Sequence, residues 1–163
     1  MFSLVAVLVV SAVGSGQAMA QIITAMIDNT GDGAGNSLLR PHGITVDAAG
    51  NVYVSGFFSS NAFKITPGGV ITKIIDAAGD GAGHGLTIAS GIAVDAVGNV
   101  YVTGVLSHNA FKITPGGVIT EIIDVSGDGT GNILLFTEGI AMDGAGNVYV
   151  NGGNSHNAFK ITP

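Results

Sequence analysis

Cysteine is absent from the 163-residue chain. That excludes a disulfide framework and any thiol chemistry. Basic residues are scarce: Lys and Arg total five, lie scattered, and leave a formal net charge of −6. No basic stripe exists, which argues against nucleic acid as a partner. A membrane-spanning run is missing too. Phe2–Val13 is apolar but shorter than the roughly 20 residues a bilayer requires. Small residues follow it, and Ala18-Met19-Ala20 fits an A-x-A cleavage pattern, so residues 1–20 read as a signal peptide with cleavage after Ala20. The departure from the rule is the lack of any Lys or Arg before the apolar run. The expected destination is secreted or periplasmic, with no membrane segment left after cleavage. A sustained 3.6-residue period is also lacking, which argues against helical or leucine-rich solenoids.

What is present is one phrase written three times. NAFKITP recurs at Asn61, Asn109 and Asn157, GNVYV at Gly50, Gly98 and Gly146, and GDG at Gly31, Gly79 and Gly127, always 48 residues apart. A fixed period of this size signals a repeat architecture whose units bury apolar surface against their neighbours. Each repeat holds four short runs rich in β-branched and aromatic residues. In the second they are Gly91–Asp95, Asn99–Thr103, Ala110–Thr114 and Val118–Asp124. Ala96-Val97-Gly98 and Pro115-Gly116-Gly117 supply tight turns between them. Four hairpin-linked antiparallel strands make a β-propeller blade. Tyr53, Tyr101 and Tyr149 share one repeat position and Phe63, Phe111 and Phe159 another, as packing rings between blades. The expectation is an all-β domain over residues 21–163 made of three 48-residue four-stranded blades, either a partial propeller or half of a six-bladed ring.

The segments GIAVDAVGNVYVTG (Gly91–Gly104) and KITPGGVITEI (Lys112–Ile122) resemble NHL-type bacterial propeller repeats and are similar to blades of streptogramin lyases and gluconolactonase-like propellers. The resemblance covers residues 21–163 and implies the fold; activity does not travel with a fold. Three blades fall short of the usual 4–8. Ile22–Asp28 aligns with Val70–Asp76 and Val118–Asp124 and so reads as an outer strand. Two readings stay open: two chains join head-to-tail by exchanging residues 22–28, giving a homodimer, or the sequence is a piece of a longer propeller.

Candidate chemistry lies in the loops. Asp32, Asp80 and Asp128 sit in a D-x-x-x-D-G loop that lacks the third-position acid and twelfth-position Glu of an EF-hand. They are expected to build Asx-turns, with a looser Ca or Mg site as the alternative. Asp47, Asp95 and Asp143 are read as turn residues. The histidines break the symmetry. Ser60, His108 and His156 share one position, His42, Ser90 and Glu138 another, and His84 stands where the other repeats have Asn. His42, His108, His156 and Glu138 are candidate catalytic groups; Arg40, Ser60, His84, His108 and His156 are candidates for a ligand face. The expected role is a binding or scaffold module for a protein, glycan or small-molecule ligand. The alternative is a metal-assisted lyase or lactonase, since the resembled lyases combine a histidine with a divalent metal.

Overall fold

The computed structural model describes residues 21–163; the signal peptide expected at 1–20 lies outside them. β1 (Pro41–Val46), β2 (Val52–Gly56), β3 (Asn61–Ile65) and β4 (Ile71–Ile75) form one antiparallel sheet in sequence order. β5 (Ala89–Val94), β6 (Val100–Gly104), β7 (Asn109–Ile113) and β8 (Ile119–Ile123) form the second, and β9 (Thr137–Met142), β10 (Val148–Gly152) and β11 (Asn157–Ile161) the third. β5 begins at Ala89, before the expected Gly91, because Ala89 pairs with Gly104 across a bulge ahead of Ile92.

The turns explain the hairpins. Asp47 Oδ1 accepts the Ala49 and Asn51 N–H groups at 3.0 and 2.9 Å, while its Oδ2 accepts Asn51 Nδ2 and the Tyr53 hydroxyl. Gly50 (φ 80°) takes the left-handed turn position that a side chain would disfavour. Asp95 and Asp143 repeat the pattern, so their expected role as turn residues holds.

β1 lies beside β5, and β5 beside β9, so the first strands of successive blades are neighbours, as they are around a propeller axis. Apolar side chains fill each seam. Tyr53, Ala62 and Ile75 of the first blade pack on Leu86, Ile92, Val102 and Phe111 of the second. Tyr101, Ala110 and Ile123 meet Leu134, Val148 and Val150 in the same way. The tyrosine ring therefore holds at Tyr53 and Tyr101, which are buried, but not at Tyr149, which is 38% exposed with no further blade against it among the described residues.

Residues 22–28 are the main correction to the expected strands. They are not in a strand, for they have no ladder partner: β4 pairs with β3 and β8 with β7, but no described strand precedes residue 22. Ile27 nonetheless packs against the Leu38, Val54, Phe63 and Ile65 cluster on the first blade.

Candidate functional site

Within each blade, the segment entering the first strand meets the loop between the second and third strands. Phe57 N–H donates to Arg40 O at 3.0 Å and Phe58 N–H to Leu39 O at 3.1 Å; Val105 and Leu106, then Gly153 and Asn154, repeat these bonds. Every non-glycine residue with positive φ among the described residues belongs to this edge: Arg40, Ser60, Ile88, His108, Phe136 and His156, with φ between 49° and 61°. Each such conformation costs of order 1 kcal/mol, and the β-branched Ile88 is the least suited to it.

Cross-blade hydrogen bonds hold these residues in place. Ser60 Oγ accepts the Ile88 N–H at 2.9 Å, and His108 Nδ1 accepts the Phe136 N–H at 3.0 Å. An accepting Nδ1 places the ring proton of a neutral His108 on Nε2. Serine and histidine thus perform one task at one repeat position. His156, at the same position of the last blade, is exposed and without a hydrogen-bond partner among the described residues.

An aromatic and cationic group occupies the first blade. The Arg40 guanidinium lies 4.6 Å from the Phe57 ring centroid and 5.0 Å from that of Phe58. The Phe rings meet edge-on at 5.4 Å, and the His42 ring is 5.2 Å from Phe57. His42 Nδ1 lies 3.1 Å from Ser90 Oγ of the next blade. Phe136 lies 5.4 Å from His108. Phe57, Phe58 and Phe136 were not among the sequence candidates. The signal for the first two was available: Phe57-Phe58 stands where the other repeats have Val105-Leu106 and Gly153-Asn154. The positive φ values left no comparable trace.

The remaining candidates are placed apart. His84 belongs to the loop entering the second blade, its Nδ1 2.7 Å from Asp80 Oδ2 and its Nε2 3.7 Å from Glu121 Oε2. The hydrogen bond to Asp80, and then the charge of Glu121, raise its pKa above the ordinary histidine value. Glu138 is exposed and contributes its main-chain oxygen to a cross-blade bond from Thr103 Oγ1 at 3.0 Å. Asp32, Asp80 and Asp128 each accept bonds from residues two and four positions onward in their own loop. The Asn132 side chain, chiefly, draws Asp128 down to about 2. Among the described residues no group of three or more His, Asp or Glu comes together in a metal-holding arrangement.

A cavity of about 620 Å³ opens between the first two blades at the opposite edge, beside Asp47, Tyr53, Lys64, Val97 and Pro115. Burial, helped by the Asp47 carboxylate, pushes the Tyr53 phenol up to about 12. None of the histidines lines this cavity. The loop edge with its strained residues is the stronger candidate, because backbone strain concentrates where a surface is used.

The family described as Beta-propeller repeat matches residues 81–105. The chain is made of β-propeller repeats, and solved structures carry the same fold. Virginiamycin B lyase from Staphylococcus aureus is 20% identical with a TM-score of 0.62, over 83% of this chain and 41% of that one. A gluconolactonase from Xanthomonas campestris is 13% identical with a TM-score of 0.59, over 78% and 46%. A protein of unknown function from Bacteroides thetaiotaomicron is 21% identical with a TM-score of 0.59, over 77% and 36%. The chain spans less than half the length of each of these proteins. No curated protein matches the sequence.

Proposed function

We propose that the chain is an exported propeller module that binds a partner through its loop face, with Arg40, His42, Phe57 and Phe58 as the contact group. The observation that carries this reading is the Arg40 guanidinium stacked against two phenylalanines, one of which, Phe58, is 63% exposed. Exposed aromatic rings beside a cation offer apolar area and charge together, the combination found at binding hot spots. The matching ligand presents an anionic group next to a flat or apolar surface: an acidic aromatic peptide, a uronic-acid glycan, or an aromatic carboxylate. Screening the immobilised protein against those three ligand sets tests it. Binding that falls at least tenfold in Phe58→Ala and in Arg40→Ala, with unchanged thermal unfolding, is the expected result. Binding untouched by both variants sinks the reading.

A second reading, metal-assisted lyase or lactonase chemistry, draws support from the exposed His42 held 3.1 Å from the Ser90 hydroxyl. Lactone opening that requires added Ca or Mg and disappears in His42→Ala would replace the binding reading.

A further inference from the structure

We infer that the cavity between the first two blades is a second binding site, one that takes a small amphiphilic carboxylate. Both of its walls belong to described blades, and it opens at the edge opposite the Arg40 loop face, apart from the contact group proposed above. At about 620 Å³ it falls within the range of small-ligand pockets, about 300–1,000 Å³.

The first-blade wall carries a cation without a counter-ion. Lys64 and Thr72 stand opposite one another in the β3–β4 ladder, and both line the cavity. Lys64 is half-buried, with its Nζ 5.9 Å from the Tyr53 ring centroid, and among the described residues no carboxylate lies within ion-pair distance of it. The other charges on this wall are engaged. Asp47 accepts bonds from Ala49, Asn51 and Tyr53, so its carboxylate serves the turn. Lys73 reaches Asp76 Oδ2 at 2.7 Å and Asn36 Oδ1 at 2.8 Å. Lys64 is therefore the group left to meet an anion, with the Thr72 hydroxyl beside it able to donate to the same oxygen pair. A half-buried ammonium against an apolar seam holds a carboxylate more strongly than one in open water.

The wall supplied by the second blade is apolar. Val100, Ile113 and Pro115 line it, the first two each 3% exposed. Val97 completes it and is 75% exposed. That valine departs from the repeat, for the same turn carries Ala49 in the first blade and Ala145 in the third. Asp95 builds the turn through the Val97 and Asn99 N–H groups as Asp47 and Asp143 build theirs around alanine, so the fold does not require the extra carbons. In water they are exposed apolar area; against a ligand they are buried. The second seam is the internal comparison. It keeps Lys112 over Tyr101 at 6.0 Å, but has Ala145 for Val97 and Glu121 for Lys73. A cation and a donor on one wall and hydrocarbon on the other select a monoanion with a compact aliphatic or aryl body. An amine of the same shape is repelled.

Octanoate and phenylacetate are the probes, titrated into the isotope-labelled full chain and followed by NMR. Saturable shifts at Val97, Val100 and Ile113 are expected, and none with phenethylamine. Lys64→Met keeps a side chain of similar length without its charge, and affinity should fall about tenfold or more with thermal unfolding unchanged. Val97→Ala installs the residue of the neighbouring blades and should weaken binding about threefold or more. It carries the test by itself if Lys64→Met alters unfolding. Lys112→Met, the same change one blade on, should leave binding at wild-type strength. Binding that survives Arg40→Ala but is lost in Lys64→Met separates this cavity from the loop face. Shifts that gather at Phe57 and Phe58 and vanish in Arg40→Ala, an equal response to phenethylamine, equal losses in Lys64→Met and Lys112→Met, indifference to Val97→Ala, or no saturable shift would each overturn the inference.

Discussion

Replacing Ser55 by alanine tests how the blades are locked together. Its hydroxyl is fully buried, accepts the Gly43 N–H at 2.9 Å and donates to Ser90 O at 2.5 Å. Alanine removes little volume but strands a main-chain donor and a main-chain acceptor on opposite sides of a seam. A buried polar group left unpaired costs about 1–3 kcal/mol. Gly43 is only half-buried, so water recovers part of its share, and the total comes to about 2–4 kcal/mol. At about 3 °C per kcal/mol for a domain of this size, Tm should fall by roughly 6–12 °C. The assay is thermal unfolding followed by far-UV circular dichroism. The second blade supplies a control, since Thr103 occupies the Ser55 position and bonds Gly91 N–H at 2.8 Å and Glu138 O at 3.0 Å. Ser55→Thr should therefore stay close to wild type. If alanine shifts Tm by under 2 °C, or threonine destabilises as much as alanine, the hydroxyl is not the lock described.

Gly79 and Gly81 have similar positive φ, 62° and 74°, but a Cβ on Gly79 would run into the His84 carbonyl oxygen while one on Gly81 meets open space. Gly81→Ala should cost about 1 kcal/mol from its backbone conformation alone, and Gly79→Ala clearly more, as read by urea unfolding. The His84 ring should titrate above the ordinary 6.5 by proton NMR, and Asp80→Asn should lower its midpoint more than Glu121→Gln. Because the folded-state value is raised, this contribution to stability is fully present below about pH 6.5 and lost as pH rises through the raised value. Tyr53 and Tyr101, pushed up to about 12 first by burial, should remain protonated well past pH 10 in a spectrophotometric titration. Stability should decline between about pH 10 and 12 as the unfolded phenols ionise first.

The blades were legible in the sequence because every determinant is local and is repeated. Asp-x-x-Gly-Asn builds one turn and Thr-Pro-Gly-Gly another; the intervening apolar runs have no choice but to pair. The strand start at Ala89 was not legible, since it depends on a bulge whose cause is the pairing itself. Residues 22–28 showed the limit from the other side. Their composition specifies a strand, yet a strand exists only where a second one lies alongside it. At the candidate site the departures from the repeat were legible, His42, His108 and Arg40 among them. Their work was not: that His108 accepts a main-chain N–H from the next blade follows from the φ of Phe136 and the approach of two loops, neither of which is written in residue type.

The interchange of Ser60 and His108 in the cross-blade bond has a consequence for how such a surface can diversify. The bond asks only for a lone pair at a fixed point, so the rest of the side chain is unconstrained by folding. Size, ring character and basicity are then free to vary from blade to blade at positions that all open on the same edge. The strands form a fixed grammar, and the loop face is the place where vocabulary changes without altering the sentence. A chain organised in this way separates the energetics that hold it together from the chemistry it shows to others.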